Sequence, residues 1–509
     1  MTRSGVVRGS AEGGQAVFLG IPYAAPPFGA RRFREPGPVA AWSGVRECVR
    51  YGPIAPQSAE LPGAPVWVPG REDILSLNVW SPADTASGAA DASGAAAPGV
   101  RPLPVLFWIH GGGYVYGSSA QPDYDGAALA RAGLVVVSCN YRVGFEGFGH
   151  VPGFPANRGL LDQIAALRWV RENIAAFGGD PGNVTVAGQS AGAGSVVSLM
   201  AMAGAAGLFR RAVAHSVPVA CFSRDLAAGL AGRVAREAGV PATAEGLLSA
   251  SPAALVEASD RVVAGFRADP GAGALYYDPH IYAPVVDGAT LPVDPLTALA
   301  GGSAAGPGSA VDLLMCHTTE EYWLMRETGG MPPVTTEKAL LRFTEDYGLP
   351  PELAAGQSAL MPGAAVEDVY LALAGAAVFT THSARLARAH AGAGGRTYLS
   401  RFDRRRTRAD GTPVRAWHAG DVPFVFGNLD AGVEFLTGGP VDAADRALSG
   451  RMVRAWAAFA ATGDPGWAPL DAGGGGTAHV WGVPGDRTEC AETAEDVLWR
   501  GVYLPTPRC

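Results

Sequence analysis

Short apolar runs rich in β-branched residues alternate with helical patterns from Leu103 onward, and this alternation constrains the fold more than any other feature of the chain. Residues 103–109, 134–140, 184–187 and 311–315 are nearly wholly apolar, as strands covered on both faces must be. Within residues 161–177, Ile164, Leu167, Trp169, Val170 and Ile174 recur at helical spacing, and Gly178-Gly179 supplies the stop. The pattern predicts an α/β fold with a mostly parallel central sheet covered by helices on both faces. Residues 83–102, 301–310 and 473–476 are Ala, Gly, Ser and Asp text too poor in large apolar groups to fold alone, and they read as flexible surface insertions. Strand-like text resumes on either side of each, so residues 1–509 are expected to form one domain.

Composition removes several function classes. The chain is 48% hydrophobic and carries a net charge of −8, so it has no general attraction to nucleic-acid phosphates or anionic lipid. Its single lysine, Lys338, follows no Gly-rich loop and reads as a helix-surface residue; a P-loop or a pyridoxal Schiff base would need a lysine elsewhere. The six cysteines (Cys48, Cys139, Cys221, Cys316, Cys490, Cys509) show no C-x-x-C pair and no histidine at zinc-ligand spacing, so no structural metal is expected. The first residues lack the apolar core of a secretion signal, and no run approaches the roughly 18 apolar residues of a membrane span. A cytoplasmic protein with free thiols and no membrane partner is the expectation.

Gly188-Gln189-Ser190-Ala191-Gly192 is a G-x-S-x-G sequence placed between the strand-like run 184–187 and a helix-compatible run. In such an elbow the serine takes a strained turn, its flanking glycines permit close backbone approach, and its hydroxyl projects into a cleft. Upstream, the run 103–109 leads into His110-Gly111-Gly112-Gly113, a loop whose backbone N–H groups can converge on an oxyanion. Gly112, Gly113 and the N–H of Ala191 are the candidate donors, and His110 is read as shaping the loop.

With these residues the chain resembles the type-B carboxylesterase and cholinesterase-like branch of the α/β-hydrolases. The resemblance extends over Phe18-Leu19-Gly20-Ile21-Pro22-Tyr23-Ala24, residues 72–80, Asn140-Tyr141-Arg142-Val143-Gly144, Phe177-Gly178-Gly179-Asp180-Pro181 and Phe424-Val425-Phe426-Gly427-Asn428. It implies an α/β-hydrolase fold with large loop and helical insertions over the active site, and hydrolysis of small-molecule carboxylic esters without cofactor or metal. It also implies a triad in the chain order nucleophile, acid, histidine. Ser190 is the implied nucleophile. In Thr318-Thr319-Glu320-Glu321-Tyr322 the second glutamate, Glu321, matches the family's acid; Glu320 is the rival, because Tyr322 stands where a glycine usually follows. His418, in Trp417-His418-Ala419-Gly420-Asp421, matches the base, with Asp421 where a carboxylate is usual. Ser216 matches a serine near the acid and histidine, and Gln189 stands where many relatives carry glutamate. His150, His280, His382, His390 and His479 are read as packed or surface residues.

Two other classes use the same scaffold. A non-catalytic binding module would have lost a triad member, and this chain keeps a candidate for each. An acyl transferase, lactonase or cyclase would run the same triad with water excluded, and assays with candidate alcohols would reveal transfer. Two further departures from the family stand near the expected site, and either could reshape it: Glu146, where the family is usually apolar, read as an exposed loop carboxylate ahead of a substrate contact, and Val217, at a position where glycine is common. The family's N-terminal disulfide cannot form, since the comparable positions are Ala55 and Ile74, so six free thiols are expected.

Overall fold

The computed structural model describes residues 1–59, 64–83, 101–301, 310–408, 410–431 and 434–504. Its frame is an eleven-stranded sheet. In chain order the strands are β1 (Ser10–Glu12), β2 (Gln15–Pro22), β3 (Ser76–Pro82), β4 (Leu103–Ile109), β5 (Val135–Cys139), β6 (Gly179–Gln189), β7 (Arg211–His215), β8 (Asp312–Thr318), β9 (Thr397–Phe402), β10 (Thr477–Trp481) and β11 (Arg487–Cys490). Across the sheet they lie in the order β11-β10-β9-β8-β7-β6-β4-β5-β3-β2-β1. Every pair between β10 and β5 is parallel, and the pairs outside them are antiparallel.

Period-two side-chain alternation explains why the central strands read as unbroken apolar runs. In β4, Val105, Phe107 and Ile109 enter one core while Leu106 and Trp108 enter the other. Strand β8 divides likewise, Leu313 and Met315 against Leu314 and Cys316. The first core is closed by α1 (Arg158–Asn173), through Leu160, Ile164, Leu167 and Val170, and by α2 (Ala191–Ala201), through Val196, Leu199 and Met200. The second is closed by α3 (Ala443–Thr462), which presents Leu448, Met452, Trp456 and Phe459 at helical spacing. A third apolar cluster, with Tyr277, Tyr322, Phe343, Tyr347 and Tyr370, belongs to helical segments that interrupt the strand sequence on either side of β8. Among the described residues no helix is long and apolar enough to cross a membrane.

Two local expectations, for Glu146 and for residues 473–476, are corrected. Glu146 is not an exposed loop carboxylate: it sits buried in a short helix, Gly144–Phe148, where Arg32 Nη2 donates to its Oε1 at 2.6 Å. A buried carboxylate needs such a partner, and this one comes from 114 residues away. A second pair, Arg142 to Asp162 at 2.7 Å, is fully buried beside it. Val217 is buried in the first core and its N–H donates to Ser383 Oγ at 3.0 Å. Residues 473–476 form a held turn, with Asp471 Oδ1 accepting from the N–H groups of Gly473 and Gly475 at 2.9 and 2.8 Å. The insertions expected at 83–102 and 301–310 lie almost wholly outside the described residues. Lys338 is exposed on the helix Glu337–Asp346. Cys48, Cys139, Cys221, Cys316 and Cys490 are unpaired; Cys509 lies outside the described residues.

Candidate active site

Parallel strands deliver their C-terminal ends to one edge of the sheet, and the candidate residues follow those ends. Register aligns Ile109 of β4 with Gly188 of β6, Gln189 of β6 with His215 of β7, and His215 with Cys316 of β8. The loops beginning at His110, Ser190, Ser216 and Thr319 therefore leave the sheet side by side.

Ser190 joins β6 to α2 at φ 56° and ψ −125°, outside the ordinary regions for a residue with a side chain. Its N–H donates to His215 O at 2.9 Å, and its carbonyl accepts from Gly194 N at 2.9 Å, so the strained turn is held at both ends. The neighbouring glycines are needed for space. A Cβ at Gly188 would lie 2.5 Å from the carbonyl carbon of Gly192, and one at Gly192 would strike Ile109 O.

The glycine loop bends back across this elbow. Gly112 and Gly113 have φ of 106° and 60°, and the Gly112 carbonyl accepts from Val115 N at 3.0 Å and Tyr116 N at 2.9 Å. Among the described residues nothing accepts from the N–H groups of Gly112, Gly113 or Ala191. His110 anchors the loop: its Nδ1 bonds Gly111 O at 2.9 Å, its ring stacks on Tyr141 at 4.3 Å, and burial lowers it to about 4. It therefore stays neutral and does not compete for an anion.

The structure brings Glu321, and not Glu320, to His418. Glu321 Oε2 meets His418 Nδ1 at 2.6 Å, while its Oε1 accepts from Ser216 Oγ at 2.6 Å and from Thr318 N at 2.8 Å. Glu320 turns the other way, accepting from Arg415 Nη1 at 2.7 Å and Ala416 N at 2.9 Å. The Phe379 ring covers the imidazole of His418 at 4.2 Å. On its far edge Nε2 meets the Gln189 amide nitrogen at 3.0 Å. Asp421 pairs with His215 Nδ1 at 2.6 Å, and Trp456 Nε1 donates to His215 Nε2 at 3.0 Å, which fastens the His418 loop to β7 and α3. Among the described residues no group of three or more His, Cys, Asp or Glu is arranged to hold a metal ion.

Comparison with known proteins places this geometry. The model of the carboxylesterase family matches residues 1–354 and 356–477. The chain belongs to the carboxylesterase family. It is 34% identical over 485 residues to the para-nitrobenzyl esterase of Bacillus subtilis, covering 91% of this chain and 90% of that protein. The fumonisin B1 esterase of Sphingopyxis macrogoltabida is also 34% identical, over 91% of this chain and 82% of its own. The crystal structure of a Geobacillus stearothermophilus carboxylesterase superposes with a TM-score of 0.81 at 36% identity, covering 98% of this chain and 99% of the other. The protein is thus an ester-hydrolysing enzyme of the serine hydrolase type with the α/β-hydrolase fold, acting on small-molecule esters.

One feature of the esterase's site escaped the sequence reading. His280 is neither packed away nor at the outer surface: its Nε2 would lie 3.6 Å from a Cβ at Gly113 of the glycine loop. A histidine and an aspartate flanking a proline, Asp278-Pro279-His280, was the available signal.

Gln189 gives the esterase a testable pH signature. A carboxylate in its place would stand against Nε2 and favour the charged imidazole, whereas a general base must be neutral to accept a proton. With His418 as the proposed base, the acidic limb of kcat/KM should move to higher pH in Gln189→Glu. Profiles of both proteins on one uncharged ester check it, and a limb that holds still or moves down refutes the role given to residue 189.

Proposed function

We propose that Ser190, His418 and Glu321 are the catalytic triad of this carboxylesterase, with Gly112, Gly113 and Ala191 as its oxyanion hole and Ser216 and Gln189 as positioning residues. The observation that carries this reading is the chain of hydrogen bonds from Ser216 through Glu321 to His418, ending at the serine elbow. His418 Nε2 takes the proton of Ser190 as Oγ attacks the ester carbonyl, and Glu321 fixes the imidazole's orientation and stabilises its charged form. The carbonyl oxygen, now an anion, is received by three N–H groups set in place beforehand; each such donor is worth about 100- to 1,000-fold in rate. His418 then gives the proton to the leaving alcohol, and an acyl-enzyme remains. Water attacks it with His418 again as base, releasing the acid and restoring Ser190.

In the resting arrangement the Gln189 amide occupies Nε2, so Ser190 Oγ takes its place on that atom as the attack begins. Hydrogen bonds of this kind commonly tighten only with substrate bound. We further read residues 1–509 as one catalytic unit, since the sheet takes strands from Ser10 to Cys490, and assign a reducing compartment, which the five unpaired described cysteines support.

A fluorophosphonate probe tests the assignment directly. It should label the native protein once, on the peptide containing Ser190, and block hydrolysis of a para-nitrophenyl ester; labelling at another residue would refute the nucleophile.

A further inference from the structure

Asp278, His280 and Tyr322 form a polar chain at the edge of the oxyanion loop. Tyr322 Oη donates to Asp278 Oδ2 at 2.9 Å, and Asp278 Oδ1 meets His280 Nδ1 at 2.6 Å. Both carboxylate oxygens are thereby engaged, and the imidazole is fixed with Nε2 directed away from Asp278. Among the described residues Nε2 has no hydrogen-bond partner, and the side chain is 30% exposed. The ring lines a cavity of about 310 Å³, together with Val219, Phe222, Tyr347 and Val378. Val378 adjoins Phe379, whose ring covers His418, while Gly113 lies near Nε2 of the His280 imidazole. His280 Nε2 thus stands between this cavity and the proposed oxyanion loop, where a group bound beside Gly113 can reach it.

The surrounding groups favour a proton on Nε2. Burial alone would lower His280, but the Asp278 charge and hydrogen bond outweigh it and raise it above the ordinary histidine value, against an opposing push from Arg267. The other charged groups of the cavity are remote from this role. Asp346 is engaged by Arg342 at 3.3 Å and by Tyr277 Oη at 3.1 Å, and Glu345 is exposed at the rim.

We propose that His280, positioned by Asp278 and Tyr322, is a specificity-determining hydrogen-bond donor, and that this enzyme prefers esters carrying a second oxygen acceptor close to the scissile carbonyl. The inference rests on the reading of Ser190 and the oxyanion loop given above. A wholly apolar chain would leave the Nε2 donor without a partner, whereas an ether or carbonyl oxygen satisfies it; sites built to pair a polar group reject the analogue that lacks one. Because the imidazole is partly exposed and water can reach it, the discrimination is smaller than for a sealed pocket.

The test uses two pairs of isosteric esters. One pair is para-nitrophenyl pentanoate and its analogue with an ether oxygen replacing a chain methylene; the other is butyl acetate and the same replacement in the alcohol. The ratio of kcat/KM, ether over methylene, is measured in the wild type, His280→Phe and Asp278→Asn, with thermal unfolding as a check on folding. In the acyl pair, the alcohol pair or both, the wild-type ratio should exceed that of His280→Phe by about 10-fold, the worth of one hydrogen bond to a charged donor. Asp278→Asn should lose part of it, and in the wild type the ratio should fall as pH rises and His280 loses its proton. Equal ratios in wild type and His280→Phe for both pairs overturn the proposal, as does loss of turnover on all four esters by a folded His280→Phe. If instead Ser190→Ala kept its turnover, the triad reading would fail and not the donor role of His280.

Discussion

Ser190→Ala should lower kcat on any ester by about 10⁴- to 10⁶-fold while leaving thermal unfolding within a few degrees of the wild type. The substitution removes one oxygen atom. Both backbone hydrogen bonds that hold the elbow, Ser190 N to His215 O and Gly194 N to Ser190 O, survive it, and alanine has the same Cβ to place at the positive φ. What disappears is the proposed nucleophile, and with it the two-step route through an acyl-enzyme. The three N–H groups remain, so a residual rate above that in water should persist, as oxyanion stabilisation and substrate binding alone give about 10³- to 10⁴-fold. Stopped assays on a para-nitrophenyl ester with active-site titration measure the difference. Near-normal turnover would mean that another group attacks the carbonyl.

The parts of this fold legible in the sequence are those whose physics is local. A strand covered on both faces must be apolar at consecutive positions, so β4, β5 and β8 announce themselves in runs of five to seven residues. The elbow is legible for a similar reason: the space beside Gly188 and Gly192 is filled by backbone, and only glycine fits. Features that depend on distant partners were closed to sequence reading. Glu146 reads as a surface carboxylate until Arg32 is folded against it. His280 shows in the sequence only an aspartate two residues before it, and nothing near it in the chain places it against Gly113. Tyr322 reads as a missing glycine after the acid, and its hydroxyl acquires a meaning only when Asp278 is brought to it. Residues 473–476 illustrate the opposite error: low complexity suggested mobility, but one aspartate two residues upstream is enough to organise the turn.

The choice between Glu320 and Glu321 shows what the fold adds to a motif, and it leads to the second large effect. Glu321→Gln should lower kcat by about 10³- to 10⁴-fold. Oε1 of Glu321 accepts from Ser216 Oγ and Thr318 N, and an amide keeps both bonds only by placing its carbonyl oxygen there. Its NH₂ group is then forced against His418 Nδ1, which must accept, so the imidazole proton moves to Nε2. That is the tautomer unable to take a proton from Ser190. Folding should be nearly intact because the new amide still makes three hydrogen bonds. Glu320→Gln is a different experiment. Its carboxylate braces the strand of chain leading into His418 through Arg415, whose side chain is 27% exposed, and through Ala416 N, which an amide oxygen can still receive. Glu320 itself is only 6% exposed, so stability should fall by about 1 to 3 kcal/mol, the worth of a hydrogen bond to a charged group, and kcat by less than about 10-fold. Parallel measurement of kcat and unfolding midpoint in the two variants decides the matter: a larger kcat loss in Glu320→Gln than in Glu321→Gln would move the triad acid to the neighbouring residue.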